Sequence, residues 1–130
     1  VPLAQWIENH YGLPCRLTND ANAAALGEMK FGVAKGMKNF VIITLGTGLG
    51  SGFIVDGKLA YGHDGFAGEL GHVVVNPNGR MCGCGKKGCL ETYVSATGIR
   101  RTVYKLLADH NEDSEMRRIS FEDLDASMIT

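Results

Sequence analysis

One imidazole and three thiols crowd a single stretch of this chain: His72, then Cys82, Cys84 and Cys89 in a loop rich in glycine. A histidine with three cysteines is one of the standard closed donor sets for a tetrahedral zinc ion. The spacing is not that of a common zinc finger. Gly83, Gly85 and Gly88 let the loop fold tightly enough for the three sulfurs to converge, and His72, on the far side of Pro77 and Gly79, would close the set. The competing reading is a flexible loop with free thiols, but free cysteines usually hide in apolar segments rather than among glycines and lysines. Two thiols one residue apart make an awkward disulfide framework. Metal binding in a reducing compartment is the better reading, and a cytoplasmic location is expected. Cys15, outside the cluster, is expected to pack as a small apolar side chain.

Three other stretches carry groups able to do chemistry. Asn19 and Asp20 follow an expected strand and precede a strong helix former, Ala21 to Phe31. One of them caps that helix on the simplest reading. The end of a strand facing a helix start is also where open α/β sheets place ligands, and an aspartate there can accept a proton from a bound hydroxyl. The second stretch is Gly46, Thr47, Gly48, Leu49, Gly50, Ser51 and Gly52, between two apolar segments. It lacks the Gly-Lys-Ser/Thr ending of a P-loop, and no helix follows it as a dinucleotide fingerprint requires. It is either a tight glycine hairpin or a turn whose amides and hydroxyls cradle phosphate. The third is Glu69 to His72: one helical turn would put both side chains on the same face, which draws Glu69 into a site rather than leaving it a solvated charge.

The elements that must hold these groups follow from patterning. A helix is expected from Val1 to Tyr11, with Pro2 in its first turn and Gly12 ending it. Cys15 to Thr18 reads as a short strand. Asn39 to Leu45 reads as a buried strand from its β-branched run. Phe53 to Asp56 reads as a second strand, with Asp56-Gly57 turning into a third over Lys58 to Tyr61. Val73 to Val75 reads as a short strand. A helix begins at Leu90, and Ser95 caps another running to about Asp109, with Ile99, Val103, Leu106 and Leu107 on one face. His110 to Arg118 is expected to be a surface loop, and Ser120 to Leu124 a capped helix start.

The chain has 130 residues, 18 of them glycine, and a net charge of -1. That length supports one domain with a core. The charge balance gives no sign of nucleic-acid affinity in this segment, and no apolar run is long enough to span a membrane. The glycine density, concentrated between Gly46 and Gly88, fits backbone held close to a ligand.

Together, Thr44 to Gly52, Gly68 to His72 and Cys82 to Glu91 resemble the signatures of the ROK family of bacterial sugar kinases and sugar-responsive repressors. The resemblance runs from about Val1 to about Arg101. It implies an α/β fold, part of a two-lobed actin-like ATPase (ribonuclease H-like) architecture with a structural zinc loop, in which sugar and ATP meet in a cleft. It implies that Asp20 is the catalytic base and that Asn19, Glu69, His72 and Glu91 are sugar ligands beside it. It implies that Gly46, Thr47, Gly48 and Gly50 contact phosphate, and that His72, Cys82, Cys84 and Cys89 hold zinc. The partners it implies are a hexose or N-acetylhexosamine and ATP with magnesium, in a homo-oligomer.

The chain departs from the family pattern at its ends. The N-terminal glycine turn with an acidic residue, for phosphate and magnesium, and the later nucleoside motif are both absent from residues 1–130. The chain is therefore expected to be a single partial domain from the centre of a longer protein, inactive or nearly so as a kinase by itself, with exposed core that favours self-association. Three functions are compatible with it: a glucokinase-type sugar kinase, a sugar-sensing repressor with a helix-turn-helix module ahead of Val1, and a bare zinc-stabilised interaction domain.

Overall fold

The computed structural model describes residues 2–128, and Val1, included in the expected first helix, lies outside them. The elements are helix α1 (Leu3–Tyr11), helix α2 (Asp20–Phe31), strands β1 (Phe40–Leu45), β2 (Leu49–Val55) and β3 (Lys58–Leu59), the short helix α3 (Glu91–Val94) and helix α4 (Ala96–Asp109). Single 3-10 turns occupy Leu70–His72, Glu115–Arg118 and Ala126–Met128. The content is α/β, as expected. No helix among the described residues is long and apolar enough to cross a membrane.

The three strands form an antiparallel sheet in the order β1-β2-β3. Val55 pairs with Lys58, so Asp56 and Gly57 make a two-residue hairpin turn, with φ values of 49° and 74°. Both left-handed residues match the turn that the strand twist favours. Leu45 pairs with Leu49, which shortens the glycine turn to residues 46–48. The second strand therefore begins at Leu49 rather than Phe53, and Gly50 and Gly52 lie inside it. The reason is helix packing: a Cβ on Gly52 would come within 2.6 Å of the Ala21 carbonyl oxygen and 2.8 Å of the Ala25 Cβ. Glycine in the strand thus lets α2 lie almost directly on the backbone of β2. Ala21, Ala25, Leu49 and Ile54 are buried along that seam.

Several expectations need correction. β1 is not buried on both faces: Val41, Ile43 and Leu45 are exposed, because α2 is the helix that packs on this sheet and it covers the other face. Cys15 to Thr18 is extended but enters no ladder among the described residues. β3 stops at Leu59 instead of reaching Tyr61, whose hydroxyl instead pairs with the Thr18 Oγ1 at 2.7 Å. Val73 to Val75 is not a strand but a single bridge, Val74 to Cys89, since residues 88–90 offer too short a partner. The stretch His110 to Arg118 contains a 3-10 turn, and Ser120 caps one turn that goes no further, accepting from the Asp123 N–H at 3.2 Å.

Helix ends follow sequence chemistry closely. Gly12 ends α1 in the left-handed conformation, φ 66°, and donates its N–H to the Glu8 carbonyl. Ser95 caps α4 by accepting from the Gly98 N–H at 3.1 Å. Cys15 lies half-buried in an apolar cleft with Ala4, Leu17, Leu26 and Leu59.

Candidate functional site

The cysteine loop folds as a small knuckle. The Cys82 N–H donates to the Lys86 carbonyl at 2.9 Å, and the Gly85 N–H donates to the Cys82 carbonyl at 3.0 Å. Two backbone bonds then fasten it to residues 73–75: Leu90 N–H to Val73 O and Val75 N–H to Gly88 O, each 2.9 Å. That junction sits directly after the turn bearing His72. The ligand atoms of His72, Cys82, Cys84 and Cys89 consequently all lie within 4.8 Å of one another.

The spacing within that group suits one small cation. The Cys84 and Cys89 sulfurs are 3.6 Å apart, and the Cys82 sulfur is 3.6 Å from His72 Nδ1. A tetrahedral zinc, with Zn–S about 2.3 Å and Zn–N about 2.0 Å, sets edges of about 3.8 Å and about 3.5 Å respectively. Charge argues in the same direction. The Cys84 backbone N–H favours the Cys82 thiolate, but the Glu91 carboxylate, burial and the two neighbouring sulfurs outweigh it and push the thiol up to about 12. Burial pushes the Cys89 thiol up, whereas the Lys86 backbone N–H holds Cys84 down. Cys82 and Cys89 thus resist ionising where they stand, and a bound dication is the partner that would relieve this.

Glu91, the first residue of α3, joins this cluster to the glycine turn. Its Oε1 lies 3.0 Å from the Cys82 sulfur and 3.6 Å from His72 Nδ1. Its Oε2 accepts a long bond from the Leu49 N–H, 3.4 Å, and a Cβ on Gly48 would come within 2.8 Å of that oxygen. A cleft of about 430 Å³ opens here, lined by Asp20, the stretch from Thr44 to Gly50, and Glu91. Gly46, Thr47, Gly48 and Gly50 thus share one concavity with Asp20.

Asn19 and Asp20 divide their roles. The Asn19 carboxamide caps α2, accepting from the Asn22 N–H at 2.7 Å. Asp20, the first residue of the helix, accepts from the Ala21 N–H at 2.8 Å and faces the cleft. Asn19, Glu69 and His72 are not among the residues that line the cleft; Glu69 precedes the 3-10 turn and His72 ends it, with His72 Nε2 4.0 Å from a Glu69 oxygen. His72 therefore presents Nδ1 to the Cys82 sulfur and Nε2 towards Glu69. Glu69 and Asn19 are exposed, while His72 and Glu91 are half-buried.

Sequence reasoning missed three contributors. Thr44 lines the cleft; the sequence placed it at the head of a signature stretch but gave it no role. Ser51 lies under the Glu69 turn. Arg80 donates Nη1 to the Thr92 and Gly98 carbonyls at 2.7 and 2.9 Å, with its guanidinium 4.7 Å over the Tyr93 ring. It clamps the cysteine loop to the corner between α3 and α4, a long-range contact with no sequence signature.

The ROK family model matches residues 1–128. The chain belongs to the ROK family. Among its relatives, a glucokinase from Halalkalibacterium halodurans is 49% identical over 112 residues, covering 85% of this chain and 34% of that protein. The chain thus spans about a third of the length of the curated relatives it matches. A ROK glucokinase from Streptomyces griseus, solved with glucose and AMPPNP, superposes with a TM-score of 0.78 at 38% identity, over 98% of this chain and 42% of that one. A ROK transcriptional regulator, a homologue of the E. coli MLC protein, superposes with a TM-score of 0.82 at 36% identity, over 98% of this chain and 31% of that one. The two ROK structures, one an enzyme and one a regulator, are alike across this segment.

Proposed function

We propose that the complete protein transfers the γ-phosphoryl group of ATP to a hydroxyl of a hexose, and that this chain supplies the sugar side of the site and one phosphate turn. The observation that carries the reading is the shared cleft: an aspartate, a glycine turn and Glu91 converge on it, and Glu91 lies 3.6 Å from His72 Nδ1. A sugar is a ring of hydroxyls, and its site needs fixed acceptors and donors; three carboxylates, a carboxamide and an imidazole provide them. The 49% identity to a glucokinase supports the same reading. In this reading the chain is the central part of a two-lobed, actin-like ATPase.

Asp20 takes the proton from the attacking hydroxyl as that oxygen bonds to the γ-phosphorus and the bond to the ADP oxygen breaks. Such a base is worth roughly a hundredfold to ten-thousandfold in rate. Asn19, Glu69, His72 and Glu91 hold the other hydroxyls, and the 46–48 turn, with Gly50 beside it, faces the phosphate. Positioning and charge stabilisation carry most of phosphoryl transfer, with magnesium neutralising the phosphates; no described residue is assigned to that ion.

His72, Cys82, Cys84 and Cys89 would hold zinc as a structural ion. All four ligands come from the protein, so the chemistry zinc supplies is cross-linking rather than Lewis acidity. With Nδ1 turned to the sulfurs, the His72 ring has a fixed tautomer and direction, and its Nε2 is left to donate towards the sugar side.

A second reading, a sugar-responsive regulator, draws support from the TM-score of 0.82 to the ROK transcriptional regulator. A coupled phosphorylation assay on the complete protein with a panel of hexoses and N-acetylhexosamines decides between them. ATP-dependent product on one of these sugars upholds the kinase. Sugar binding without product, together with sugar-dependent release from operator DNA, upholds the regulator.

A further inference from the structure

Ser51 is 2% exposed, in β2, three residues beyond the glycine turn. Its hydroxyl donates to the Gly68 carbonyl and accepts at 3.2 Å from the Leu70 N–H, which it shares with the Gly68 carbonyl at 2.8 Å. Those are the backbone groups on either side of Glu69. The backbone of this turn also presses on β2 without side chains between: a Cβ on Gly68, where φ is 96°, would lie 2.8 Å from the Ser51 carbonyl oxygen, and one on Gly71 would lie 2.5 Å from the Leu49 carbonyl oxygen.

We propose that Ser51 is a positioning residue for Glu69 and His72, fixing where they stand relative to the glycine turn. The proposal rests on the sugar-site reading above. The Glu69 carboxylate is 45% exposed and the His72 ring is 4.0 Å away, so the protein fixes where Glu69 stands chiefly through its backbone. That backbone is pinned through the Ser51 hydroxyl. Leu49 to Ser51 continues directly from the 46–48 turn, so one short piece of strand sets the distance from phosphate side to sugar side. A binding constellation loses affinity when its groups drift by more than about 0.5 Å, and without the hydroxyl the backbone on either side of Glu69 loses its two side-chain bonds to β2.

Ser51→Ala removes both bonds and adds no bulk; Ser51→Thr keeps the hydroxyl. In the complete protein at full metal content, the Ser51→Ala change is expected to raise the glucose Kd and KM by roughly threefold to tenfold, the scale of one or two hydrogen bonds. Turnover at saturating sugar should stay within about twofold, and amide exchange at Leu70 should quicken. Ser51→Thr should stay near wild type in all three. A merely structural role would lower the melting temperature and leave Kd, KM and Leu70 exchange unchanged, and that result overturns the proposal. If the wild-type protein binds none of the hexoses, the sugar-site reading falls and takes this proposal with it; wild-type binding with an indifferent Ser51→Ala variant overturns the role of Ser51 alone.

Discussion

The Cys82 sulfur and the Glu91 carboxylate are in direct contact, Sγ to Oε1 at 3.0 Å, while the second oxygen of Glu91 faces the Leu49 N–H at 3.4 Å. One side chain thus spans from the cysteine knuckle to the glycine turn. The cleft and the cluster of His72 with the three cysteines share a wall.

Removing that wall tests the connection. Glu91→Ala in the complete protein should weaken sugar binding by roughly tenfold to a hundredfold, the worth of a charged hydrogen bond. Metal content should remain at one per chain, because Glu91 lies outside the ligand set. Calorimetry and elemental analysis read both. Unchanged sugar affinity would remove Glu91 from the site.

Metal removal should act on the same wall from the other side. Stripping the ion with a strong chelator is expected to loosen residues 72–91, seen as faster amide exchange there, and to weaken sugar binding by about tenfold or more. Added zinc should restore both. A chelated protein with native exchange and native affinity would show that the knuckle stands without an ion.

The knuckle also has a backbone requirement. Gly88 has φ 73°, and a Cβ there would fall 1.6 Å from the Asn76 carbonyl oxygen, whereas a Cβ on Gly83 meets nothing within 4 Å. Gly88→Ala should therefore cost about 2 kcal/mol or more and reduce bound metal. Gly83→Ala should stay within about 0.5 kcal/mol of wild type. Thermal denaturation of the pair separates a specific close approach from general intolerance of the loop.

Much of this was legible in the chain. The thiols of Cys82, Cys84 and Cys89 announce their convergence because they are close in sequence and the glycines between them allow tight turns. Asp56-Gly57, Gly12 and Ser95 announce turn and caps because each acts within a few residues of itself. What stayed hidden depends on distant partners. Gly50 and Gly52 read as loop because they carry no side-chain pattern, and their place in β2 is set by Ala21 and Ala25 on α2. Ser51 and Arg80 owe their roles to backbone groups of Gly68, Leu70, Thr92 and Gly98. The β-branched run of β1 reads as doubly buried, yet only one of its faces meets a helix among the described residues.

The most direct test of the account is Asp20→Asn in the complete protein, with turnover and sugar binding measured on the same preparation. The account predicts glucose or a related hexose bound within a few-fold of wild-type affinity, with ATP-dependent phosphorylation reduced by roughly a hundredfold or more. Phosphorylation at the wild-type rate would contradict it.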